Sequence, residues 1–72
     1  MRDYFVVTNG KGIFVALSLH GSPFCTMELY SDFPNEESVK IAADTINKNE
    51  YYRNKHGEFR VMKLAFVEIN HD

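Results

Sequence analysis

The apolar residues of this 72-residue chain change their spacing twice, and that limits the folds open to it. From Tyr4 to Tyr30 they alternate in short runs. Val39, Ala42, Ala43 and Ile46 then fall at i, i+3, i+4 and i+7, and alternation returns from Phe59. Side chains on a strand switch faces at every residue, whereas a helix repeats about every 3.6 residues. Strands, one helix and a closing strand follow.

The first strand is Tyr4–Thr8, rich in β-branched and aromatic side chains. It runs into Asn9-Gly10-Lys11-Gly12, a hairpin signal because Asn and Gly both accept positive φ. The return strand puts Ile13, Val15, Leu17 and Leu19 on one face, with Phe14, Ala16, Ser18 and His20 on the other. After a turn at Gly21-Ser22-Pro23, a third strand is expected over Phe24–Tyr30, with Cys25, Met27 and Leu29 opposite Phe24, Thr26, Glu28 and Tyr30.

Pro34 disfavours helix at Phe33, and Asn35 offers an N-cap followed by Glu36 and Glu37 in the first turn. The helix should run from about residue 36 to about 48, with Glu36–Lys40 and Asp44–Lys48 spaced as i,i+4 ion pairs. Tyr51-Tyr52-Arg53-Asn54-Lys55-His56-Gly57 reads as a joint between helix and strand. One of its tyrosines packs the helix end onto the sheet, and Gly57 makes the turn. The closing strand is expected over Glu58–Ile69, apolar on both faces, with a bulge near Lys63-Leu64. The fold class is therefore α+β: residues 1–72 form one domain, an antiparallel sheet of about four strands (β-β-β-α-β) with one helix on one face.

A domain this small buries only about 60% of its unfolded surface, so self-association into a homodimer is one route to further burial. Cys25 is the one cysteine, which excludes an internal disulfide and suits a reducing compartment. No signal-peptide or membrane-spanning run is visible: Tyr4–Val7 is too short, and the chain is read as cytoplasmic, without a membrane partner. Eight Lys and Arg against ten Asp and Glu leave a net charge of −2. That lacks the basic excess of a generic nucleic-acid binder. The charges are nonetheless uneven: Glu28, Asp32, Glu36 and Glu37 precede the helix, while Lys48, Arg53, Lys55, Arg60 and Lys63 follow it.

No enzyme is expected. His20, His56 and His71 are scattered, no metal-ligand spacing links them, and no cofactor or metal is implied. Asn9-Gly10-Lys11-Gly12 lacks the rest of a phosphate-binding loop and leads into a strand. One helix covers one sheet face, whereas the chain holds four tyrosines and six phenylalanines. The uncovered face should present an apolar patch of the kind that marks a protein interface. The candidate interaction surface is Phe14, Tyr30, Tyr51, Tyr52, Arg53, Lys55 and Phe66. A second reading uses the 48–56 segment for nucleic acid, its tyrosines stacking on bases and Lys48, Arg53 and Lys55 neutralising phosphates.

The order of elements, with Phe33-Pro34-Asn35-Glu36-Glu37-Ser38-Val39 opening the helix and Phe59-Arg60-Val61-Met62-Lys63-Leu64 in the closing strand, resembles small proteins encoded by bacteriophages and mobile elements. Some anti-CRISPR inhibitors share that layout. The resemblance implies a non-enzymatic protein that binds a host protein or protein complex in the host cytoplasm, inhibiting a defence or gene-expression assembly. It assigns no individual binding residue.

Overall fold

The computed structural model describes residues 4–29, 33, 35–65 and 68–70. Three strands come first: β1 (Tyr4–Thr8), β2 (Phe14–Leu17) and β3 (Pro23–Thr26). Helices α1 (Glu36–Asn47) and α2 (Glu50–His56) follow, then β4 (Arg60–Leu64). All neighbouring strands are antiparallel in the order β3-β2-β1-β4, so β4 returns through the helices to pair with β1. The α+β class and the four-stranded sheet agree with the sequence reading. The second helix does not: residues 51–56, read as a joint, are helical.

Register decides which residues meet the helices. Val7 lies opposite Val61 and Val15 opposite Cys25, placing all four on one face. There they join Phe33, Val39, Ala42, Ala43, Ile46 and Phe59 in and around the core, with Phe5, Ile13, Leu17 and Tyr52 packed at its margin. The α1 stripe is the one the spacing predicts, and its two alanines let the helix axis approach the sheet closely. Asn35 Oδ1 accepts the Ser38 N–H at 2.8 Å, which caps the helix at its N-terminus as expected. Glu36 and Lys40 close to 3.2 Å on the exposed side. The expected Asp44–Lys48 pair is not among the ion pairs of the described residues; Lys48 instead donates its backbone N–H to Asp44 and Thr45 carbonyls at 3.3 Å.

Strand ends differ from the alternation pattern for one reason: a strand lasts only while its neighbour lasts. β3 stops at Thr26, opposite Phe14 where β2 begins, so Met27 and Leu29 leave the sheet and are exposed. β2 stops at Leu17. Leu19 sits in the following turn, fully exposed, where Ser18 N donates to Ser22 O at 2.9 Å. β4 keeps unbroken register with β1 from Thr8↔Arg60 to Tyr4↔Leu64, so the described residues contain no bulge at Lys63. Tyr30, Phe66 and Val67 lie outside the described residues.

The first turn also differs in detail. No residue other than glycine has positive φ among the described residues; Gly10 and Gly12 do, at 77° and 94°. Asn9 contributes its side chain instead: Oδ1 accepts the N–H groups of Lys11 at 2.8 Å and Ile13 at 3.1 Å. A five-residue link, closed by Asn9 N–H to Ile13 O at 3.1 Å, joins the two strands.

β4 enters the sheet through a side-chain imitation of strand pairing. Asn47 Nδ2 donates to Phe59 O at 2.9 Å, and Asn47 Oδ1 accepts Phe59 N–H at 2.8 Å. This holds the backbone of Phe59 against the last turn of α1 while its ring is buried to 2% exposure. Asn47→Ala would leave both backbone groups unpaired in a half-buried setting. It should lower stability by roughly 2 kcal/mol, seen as a lower urea midpoint with an unchanged denaturant slope.

Candidate interaction surface

The segment from Asn49 to Gly57 forms its own capped helix. Asn49 Oδ1 accepts Tyr52 N–H at 3.1 Å, Glu50 occupies the first turn, and Arg53, Lys55 and His56 occupy the last. Both acid and base placements complement the backbone dipole. Gly57, at φ 83°, donates its N–H to Arg53 O at 2.9 Å and ends the helix. These signals stand in the sequence: Asn49-Glu50 repeats the Asn35-Glu36 opening of α1, and Gly57 follows a basic turn. They are easy to overlook because α2 has seven residues and no apolar stripe, and none of its residues is fully buried.

A run of rings ties α2 to the core. Tyr51 and Tyr52 meet edge to face at 5.4 Å, Tyr52 and His56 stack at 6.4 Å, and His56 meets Phe59 edge to face at 6.2 Å. Tyr52 and His56 are half-buried, whereas Tyr51 is 64% exposed. Tyr52 is thus the packing tyrosine of the pair. On a helix, about 100° per residue puts Tyr51 and Lys55 on one flank of this inward pair and Arg53 on the other. Lys55 Nζ donates to Tyr51 OH at 3.4 Å and lies 5.6 Å from the ring centroid, a cation held over an aromatic face.

The candidate residues therefore divide between two surfaces. Tyr51, Arg53 and Lys55 are exposed on α2, Tyr52 is turned toward the core, and Phe14 lies on the opposite side of the sheet. Tyr30 and Phe66 fall outside the described residues. Register gathers Tyr4, Val6, Thr8, Phe14, Ala16, Phe24, Thr26, Arg60, Met62 and Leu64 on the face away from both helices. Val6 and Ala16 at 2% and Thr8 at 5% exposure are shielded there by larger neighbours, while Phe24 and Met62 remain exposed. Alternation puts Phe14 and Ala16 on one side of their strand and Phe24 on one side of its own, and the pairing of β2 with β3 joins the two sets here. The pairing of β1 with β4 adds Val6 and Met62 as neighbours, which no local pattern shows.

Cys25 is half-buried on the helix-side face. Burial pushes its thiol up from its ordinary value, and the Lys55 ammonium works in the opposite direction. Among the described residues no three His, Cys, Asp or Glu side chains converge on a possible metal position, and no helix is long and apolar enough to cross a membrane. No family model, curated relative or solved structure matches the chain.

Two outcomes follow from this arrangement. Tyr52→Ala should cost about 2 kcal/mol because it opens the seam between α2 and the core, whereas Tyr51→Ala, Arg53→Ala and Lys55→Ala should each stay within about 0.5 kcal/mol in chemical denaturation. Lys55→Ala should also raise the Cys25 thiol further and move its alkylation profile to higher pH. Since folding favours the neutral thiol, its contribution to stability is present below the unfolded pKa and is lost as pH rises through the raised folded value.

Proposed function

We propose that this is a non-enzymatic accessory protein of the type carried by phages and mobile elements. It works by protein–protein binding, inhibiting a host defence complex in the manner of an anti-CRISPR protein, or a gene-expression complex. The layout resemblance supports the phage-type part of this reading. The helix-free sheet face carries the binding part: Tyr4, Phe14, Phe24, Met62 and Leu64 surround buried Val6, Thr8 and Ala16, and Arg60 supplies a charge at one corner.

Size sets a condition on the partner. Four strands about 4.8 Å apart and about five residues long present roughly 15 by 17 Å, or about 250 Å². A stable interface uses about 800 Å² on each side, so the partner must extend beyond the sheet. The α2 segment supports a nucleic-acid reading less well, because Arg53 and Lys55 project from opposite flanks of a short helix.

The test is affinity capture from a bacterial lysate with wild-type protein and with a Phe24→Asp/Met62→Asp variant whose melting temperature matches wild type. The wild type should retain a defined protein complex that the variant loses, and Arg53→Ala/Lys55→Ala should retain it. Capture unaffected by the sheet-face substitutions would overturn the reading. Tight binding of labelled single-stranded RNA or DNA that weakens steeply with salt would favour the second one.

A further inference from the structure

Asn9 is the one asparagine of this chain followed by glycine; Asn35, Asn47, Asn49, Asn54 and Asn70 precede larger residues. We propose that Asn9-Gly10 is a spontaneous modification site, a deamidation point kept silent by the docking of α2. Its conversion would irreversibly detach the β1–β2 turn from that helix. The inference stands apart from the proposed binding function.

The chemistry needs only water. The Gly10 backbone nitrogen, after losing its proton, attacks the side-chain carbonyl carbon of Asn9. A carbon–nitrogen bond forms, the bond from that carbon to Nδ2 breaks, and ammonia leaves. Water then opens the cyclic imide at either carbonyl, giving aspartate or its β-linked isomer. Gly10 is exposed and has no side chain to shield its nitrogen.

In the folded chain each participant is held. Gly10 N–H, whose proton must leave, donates to Thr8 Oγ1 at 3.1 Å. Oδ1 of Asn9 accepts the N–H groups of Lys11 and Ile13, and Nδ2, the leaving group, donates to the His56 carbonyl at 3.0 Å. Turning the amide carbon toward Gly10 requires these bonds to break together. The His56 carbonyl belongs to the last turn of α2, whose seven residues include none that is fully buried. Short elements with few buried contacts open at low free energy, so opening of α2 frees Nδ2 and leaves only the turn's own bonds to break. After reaction, an aspartate oxygen would replace Nδ2 and face the His56 carbonyl oxygen. Two acceptors repel, so the turn and the helix would not redock.

Peptide mapping of aspartate and isoaspartate at position 9 tests this, using the full chain incubated folded and in urea at the same mildly alkaline pH. The folded rate should be lower by about tenfold or more, the factor set by local opening. Tyr52→Ala, at a temperature where circular dichroism shows it folded, should move the rate toward the unfolded one; Tyr51→Ala should not. Asn9→Asp should speed hydrogen exchange at the Arg53 and Gly57 amides. Should that variant fail to fold, the charge-separated product from aged wild type takes its place. Equal rates in folded and unfolded chains, indifference to Tyr52→Ala, or unchanged α2 exchange in the product would each overturn the proposal.

Discussion

The seating of α1 on the middle of the sheet is the contact on which the other features depend. Val39, Ala42, Ala43 and Ile46 meet Val7 and Val15, and all six are essentially removed from water. At about 25 cal/mol per Å² of buried apolar surface, this contact is the main source of stability in a domain with few alternatives. The two alanines keep the helix low over β1 and β2. That leaves room for Phe33 and Phe59 to close the core, and for α2 to fold back beside them.

Asparagine side chains do much of the joining. Asn35 and Asn49 cap the two helices, Asn47 pairs with the backbone of Phe59, and Asn9 links the first turn to the end of α2. Each satisfies backbone groups that would otherwise be stranded at an element's end, and a small domain has many such ends for its core. Asn9 and Asn47 span 47 and 12 residues of sequence, so they bind distant parts of the chain together and do not only shape local turns.

The two sides of the sheet have separate physical characters. On the helix side, partial burial pushes the Cys25 thiol up, and half-buried His56 sits between the Tyr52 and Phe59 rings. On the other side, apolar residues are shielded chiefly by one another, and Phe24 and Met62 remain accessible. Protein binding is proposed for that second side because burying it against a partner would remove apolar surface that the chain's own helices do not reach.

Sequence alone determined the period changes, and with them the α+β class, the α1 stripe, the Asn35 cap and the alternation that separates Val15 from Phe14 and Ala16. These are local properties, set by side-chain spacing along one element. The signals for α2 were also local, but its few turns carry no apolar stripe, so periodicity passed over it. Tertiary structure decided what depends on a neighbour: that β3 ends at Thr26 because β2 begins at Phe14, and that Val6 meets Met62. It likewise turned Tyr52 inward rather than Tyr51 and separated Arg53 from Lys55. Each requires two segments distant in sequence to settle side by side, and the free energy of that contact does not reside in either segment alone.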